Sequence, residues 1–204
     1  MLLCFPVTIA EGRLFHQLIL EPEKAKDFKT IDVNSRNTKA YKDYIQDNNV
    51  DFVMLDKEAD AIKNLTKVML SNLTFYENIY ADGNDFEVPS VKEIHGKLWK
   101  GKADIVGAEF LIDIKTTSDI NAFRWSAKKH NYDSQCYIYQ QLFGKPLVFY
   151  VIDKLTEQIG IFKPSEEFVS SGEQKVLRAI EVYDRFFSDN SSETVDDYFI
   201  EETL

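Results

Sequence analysis

Three residues in one short stretch have the types and spacing for chemistry. "KADIVGAEFLIDIKTTSD", residues 102–119, carries Asp104, Asp113 and Lys115 among Ile105, Val106, Phe110, Leu111, Ile112 and Ile114. On a strand, residues two apart share a face, so Asp113 and Lys115 project together. Asp104 precedes a turn signal at Gly107, and antiparallel pairing about that turn would bring it to Asp113. Two carboxylates meeting at a point suit a hard cation such as Mg²⁺, which takes a few carboxylates together with water and phosphate oxygens. A lysine beside them is a positive point charge that can orient a water or stabilise a pentacovalent phosphate. That is metal-assisted phosphodiester hydrolysis in outline. A bare Asp-x-Lys triplet has a plainer reading, the wet face of an amphipathic strand. The apolar run "EFLIDIK" argues against it, because it suggests a central strand buried on both faces. Charges there are costly unless paired or bound to metal.

The elements around this stretch follow from periodicity and turn residues. "EGRLFHQLIL", residues 11–20, places Leu14, Phe15, Leu18 and Ile19 at helical spacing, and Pro22 ends the helix. "FKTIDV" is a short strand. "NTKAYKDYIQDNN" and "KEADAIKNLTKVMLSNL" are helices, the second with Ala61, Leu65, Val68 and Met69 on one side. A turn-rich patch, "YADGNDF", separates them from the strands "FEVPSVKEI", "KLWKGKADIV" and "EFLIDIKTT". The helix "YDSQCYIYQQLFG" closes at Gly144. Two more strands, "PLVFYVID" and "EQIGIFKP", precede a last helix, "EEFVSSGEQKVLRAIEVYDRFF". This order predicts an α+β or mixed α/β domain over residues 1–188, with a loose acidic tail over 189–204.

With 204 residues and 44 % apolar composition, the chain can bury a core without disulfide staples. Its two cysteines, Cys4 and Cys136, fit a reducing compartment and are too few for a four-thiolate iron–sulfur cluster. The apolar start "MLLCFPVTIAEGR" is read as a buried segment rather than a signal peptide, and no run is long enough to span a bilayer. A net charge of −10 speaks against a phosphate-binding surface. Residues 92–130, however, hold eight basic and five acidic residues, a locally basic segment on an acidic body.

"ADIVGAEFLIDIKTT" resembles the D…(D/E)-x-K signature of the PD-(D/E)xK nuclease superfamily, with Ala103 where that motif usually has proline. "YDSQCYIY", with Gln135 four residues before Tyr139, and "GRLFHQLILEPE" resemble the exonuclease VIII (RecE-type) and RecB-like branch. The three motifs span residues 11–160. The resemblance implies a restriction-endonuclease-like core, a central mixed sheet flanked by helices. It implies that His16, Asp104 and Asp113, with the Ile114 carbonyl, ligate Mg²⁺, for which Mn²⁺ substitutes. Lys115 would be the catalytic lysine. Gln135 and Tyr139 would position the DNA end. Members of the branch usually carry a further segment before the histidine helix, and only "MLLCFPVTIAE" precedes Gly12 here.

The expected activity is a Mg²⁺-dependent exonuclease on linear double-stranded DNA, digesting from the 5′ end in phage-type recombination, in the bacterial cytoplasm. Its expected partners are DNA ends, a single-strand annealing protein and further copies of the chain, with no membrane. "FRWSAKKHNYD" interleaves aromatic and basic residues, and Arg124 and Lys128 are candidate DNA contacts. That stretch has a second reading, a boundary loop with Phe123 and Trp125 packed inward. An endonuclease or single-strand nuclease on the same core, and a non-catalytic module of that fold, stay open.

Overall fold

The apolar-polar pattern around His16 builds the first element, helix α1, Cys4–Leu20. The computed structural model describes residues 4–189, 191, 193–198 and 200–203. Leu14, Phe15 and Ile19 are buried on one side of α1, the i, i+1, i+5 stripe of an amphipathic helix. Its first half corrects an expectation. Over Val7–Gly12, where a buried segment is expected, the helix is half-buried or exposed, and Ile9 is 65 % exposed. Residues 1–3 lie outside the described residues. Pro22 ends α1 and opens a short helix, α2 (Pro22–Ala25), at a position that needs no backbone N–H donor.

The strand β1 (Thr30–Ile31) pairs in parallel with β2 (Met54–Leu55), a strand the sequence pattern does not reveal. Between them, α3 (Lys39–Asp47) starts at Thr38, whose hydroxyl accepts the Tyr41 N–H. The following apolar run divides in two. Helix α4 (Asp56–Ser71) ends at Asn72, whose side-chain oxygen caps α5 (Leu73–Ile79) by accepting the Phe75 N–H. Asparagine competes for backbone groups and so breaks a helix that periodicity would run on. The buried face of α4 is Ala59, Ile62, Leu65, Thr66 and Met69; Ala61, placed on that face by the sequence pattern, is exposed.

Five further strands make one mixed sheet in the order β3-β4-β5-β6-β7: β3 (Asp85–Ile94), β4 (Lys97–Val106), β5 (Leu111–Thr117), β6 (Leu147–Asp153) and β7 (Ile159–Phe162). The turn between β3 and β4 uses His95 and Gly96, both at positive φ. β5 is the central strand, as its apolar run requires, and Leu111–Ile114 are buried. β6 is buried along its whole length. The stretch "FRWSAKK" forms a helix, α6 (Phe123–Lys129), rather than a boundary loop: Phe123 packs inward and Trp125 is exposed. α7 (Tyr132–Phe143) ends at Gly144 with φ +70°, and α8 (Glu166–Phe186) is capped by Ser165. Beyond it, Glu193 pairs with Arg185, and Val195–Tyr198 form a turn of 3₁₀ helix where the sequence suggests a loose tail.

The chain divides into two compact units. The first contains the segment up to Val88, Lys102–Phe123 and Val148–Lys163. Its main core gathers α1, α4 and α5 with Ile105, Ile112, Ile114, Val148, Tyr150 and Ile152 of the sheet. Each such aliphatic side chain contributes about 1.5–3 kcal/mol by leaving water. The second unit contains Pro89–Gly101, Arg124–Leu147 and the segment from Pro164 onward. Its core is built on Ile94, Tyr137, Leu142 and Val176.

Candidate active site

The antiparallel register of β4 and β5 pairs Ile105 with Ile112 and Val106 with Leu111. Carried one pair further, it sets Asp104 opposite Asp113, so both carboxylates leave the same face. The turn between these strands is closed by the Gly107 N–H donating to the Phe110 carbonyl. Lys115, two residues along from Asp113, reaches back over that face and pairs with it, Nζ to Oδ2 2.6 Å. Asp113 is only 3 % exposed. Four apolar neighbours fix this position: Ile105, Leu111, Ile112 and Ile114 are all fully buried.

His16 comes to the same place from α1. Its Nδ1 lies 2.8 Å from the Gly12 carbonyl, which only accepts, so Nδ1 carries a proton. Its Nε2 stands 3.1 Å from Asp104 Oδ2. The same carboxylate oxygen accepts the Ile114 N–H at 2.8 Å. Of Ile114, then, the amide serves Asp104 directly. His16, Asp104, Asp113 and Lys115 therefore form one charged group inside the first unit.

The group's electrostatics follow from its burial. Burial disfavours the imidazolium, but the Asp104 hydrogen bond and charge outweigh it, and the His16 pKa is raised. For Asp104, burial favours the neutral acid, while His16, Lys115 and the Ile114 N–H reverse the balance and lower its pKa. For Asp113, burial wins over the Lys115 attraction, and the nearby Asp104 charge adds to it, so its pKa is raised. Opposite shifts on two neighbouring carboxylates mark this pair as a candidate site.

The donor set suits a divalent cation: two carboxylates and an imidazole nitrogen. A histidine whose Nδ1–H is fixed on a carbonyl while Nε2 aims at the site has the orientation of a metal ligand. As placed, His16 Nε2 on Asp104 and the Lys115 ammonium on Asp113 occupy carboxylate oxygens that a cation would take. Among the described residues, no three His, Cys, Asp or Glu side chains are drawn together closely enough to enclose an ion.

The other candidate residues lie in the second unit. Gln135 and Tyr139 share one side of α7, both half-buried. The Tyr139 ring lies against Gly101 of β4, where an added Cβ would come within 3.2 Å of it. Arg124 and Lys128 are exposed on α6. One acid escaped the sequence reading. Glu87 of β3 sits at φ +54° and pairs with Lys102, two residues before Asp104 on β4. A non-glycine residue in that region is uncommon, but only coordinates reveal it.

A family described as "PDDEXK-like domain of unknown function (DUF3799)" matches residues 6–194. Among solved structures, a protein named "Putative exonuclease" from Eubacterium rectale is 16 % identical, with a TM-score of 0.58. The match covers 88 % of this chain and 66 % of that one, so the chain spans just under two thirds of that protein's length. At that identity the likeness concerns the fold. A second structure, SSO0001, is 17 % identical over 86 % of this chain and 88 % of that one, with a TM-score of 0.38, too low to carry an argument. No curated protein matches the chain. No described helix is long and apolar enough to cross a membrane.

Proposed function

Since the chain belongs to the PDDEXK-like DUF3799 family, we propose that it is a metal-dependent exodeoxyribonuclease that hydrolyses linear double-stranded DNA. The observation that carries this is the partly buried group that His16 of α1 forms with Asp104, Asp113 and Lys115 of the central strands. A fold alone does not give a function, but this arrangement of side chains gives it chemistry. His16 Nε2, Asp104 and Asp113 would hold Mg²⁺, with Mn²⁺ a substitute. Such a cation polarises a phosphoryl oxygen and lowers the pKa of water.

The chain's own residues do the rest. The Gly12 carbonyl holds the His16 ring so that Nε2 faces the carboxylates. The Ile114 N–H fixes Asp104. Lys115, tethered to Asp113, places a positive charge where a phosphate would gain negative charge, and it can orient the attacking water. Releasing His16 and Lys115 from the carboxylates frees those oxygens as ligands. In this reading, digestion starts at the 5′ strand of DNA ends in the bacterial cytoplasm. The 3′ strand left over passes to an annealing protein, in recombination of the phage type.

The test is digestion of linear against closed-circular duplex DNA with Mg²⁺, with EDTA and Asp113→Ala as controls. Loss of the linear form alone, abolished by both controls, is the expected result. Cutting of the circle would make it an endonuclease. A folded protein that cuts neither form, with Mn²⁺ as well as Mg²⁺, would make it a non-catalytic module.

A further inference from the structure

We propose that the outer face of α6 is a stacking platform for the unpaired bases of single-stranded DNA. Trp125 would be the stacking surface, and Arg124, Lys128 and Lys129 would hold the phosphates. The ligand class rests on the nuclease reading above.

The helix separates its two faces sharply. Phe123 and Ala127, four apart, are each 3 % exposed, while Arg124, Trp125, Lys128, Lys129 and His130 are exposed. Phe123 anchors the helix start, its ring packed edge-on against Phe149 and tilted against Phe162. Trp125 is 60 % exposed. An indole joins a large apolar face to a polar N–H, and at this exposure its ring is open to a stacking partner.

The Arg124 guanidinium carbon sits 3.9 Å from the centre of the Trp125 ring system. It fixes the indole by a cation–π contact, and a guanidinium covers only one face of a ring. Lys128 and Lys129 lie three and four residues past Trp125, so they flank it on the same side of the helix. No acid occurs between Phe123 and Asn131, in a chain whose net charge is −10. An aromatic face within a basic rim fits a backbone of phosphates with stacked bases. Paired bases hide their faces, so the platform selects single strands.

The test is the affinity of labelled oligothymidylate, measured by fluorescence anisotropy in EDTA to keep the DNA intact. An abasic oligodeoxyribose phosphate of equal length is the second ligand. Trp125→Ala is expected to weaken oligothymidylate binding about 5- to 150-fold, the equivalent of about 1–3 kcal/mol per stacked base. It should leave abasic binding unchanged. Trp125→Phe should retain most of the affinity. Lys128→Ala should weaken both ligands and lower the salt slope by about one. An equal loss on both ligands with Trp125→Ala, no loss on either, or no oligothymidylate binding by the unaltered protein would overturn the proposal. Digestion of linear duplex with Mg²⁺ reports separately on the nuclease reading. Unaltered protein that digests DNA while Trp125→Ala binds normally overturns the platform alone. Base-selective binding without any digestion overturns the nuclease activity alone.

Discussion

Replacing Gly172 with alanine should strain the contact between α7 and α8 in the second unit. A Cβ on Gly172 would lie 2.0 Å from the Asp133 carbonyl oxygen, 2.3 Å from its carbon and 2.8 Å from the Ser134 nitrogen. All three are backbone atoms, so no side-chain rotation relieves the clash. A carbon–oxygen contact needs about 3.3 Å, so the helices must part by roughly 1 Å. Close-packed interiors resist that, and overpacking costs about 1–3 kcal/mol. The same movement loosens the fully buried Asp133 carboxylate, held by Lys175 at 2.8 Å and Ser171 at 3.2 Å. We expect a loss of about 2–3 kcal/mol in urea denaturation with an unchanged m-value. The corresponding fall in Tm is roughly 4–12 °C for a chain of this size. Gly12→Ala is the matched control. Gly12 lies inside α1 with nothing within 4 Å of a built Cβ, so the same change should stabilise by about 0.5–1 kcal/mol. If Gly172→Ala cost less than about 0.5 kcal/mol, or both substitutions moved stability the same way, the packing argument would fail.

Three further outcomes are expected. Under the proposed function, in which the Lys115 charge acts on the reacting phosphate, Lys115→Ala should slow DNA cleavage about 10²- to 10⁴-fold in a Mg²⁺ assay while changing duplex affinity little. A fall in affinity that accounts for the whole loss would contradict that role. His16→Ala should destabilise the metal-free protein most at mildly acidic pH. The raised His16 pKa gives stability that is present below about pH 6.5 and lost as pH rises through the folded value. The lowered Asp104 pKa gives stability that is present above about pH 4 and lost as pH falls through the folded value. A difference between the two proteins that stays flat from pH 4 to 9, as measured by urea midpoints, would refute the ion pair. Asp153→Ala should cost about 2–4 kcal/mol, because its carboxylate accepts the N–H groups of Ile120 and Leu155 at 2.8 Å and of Thr156 at 3.0 Å. Chemical denaturation that shows Asp153→Ala within 0.5 kcal/mol of the unaltered protein would rule this out.

The sequence alone determined the strand that holds Asp113 and Lys115. Alternation is a local property, and the two residues had to share a face once "LIDIK" was a strand. The turn at Gly107, the helix that carries His16 and the Gly144 end of α7 were legible for the same reason. Each depends on residues within a few positions. The signals that failed were those in which a polar residue or a short contact overrides periodicity. Asn72 split one apolar run into α4 and α5, and two-residue strands such as β2 have no period to read.

Only the tertiary structure decided which oxygen of which acid meets which donor. That His16 Nε2 reaches Asp104 depends on where α1 rests against β4 and β5, 88 residues away in the chain. So do the opposite pKa shifts of the two aspartates, because burial and neighbouring charge are properties of a place in three dimensions. The exposure of Trp125 and the backbone contact at Gly172 belong to the same class. A sequence specifies the residue at each position, and packing then determines what touches it.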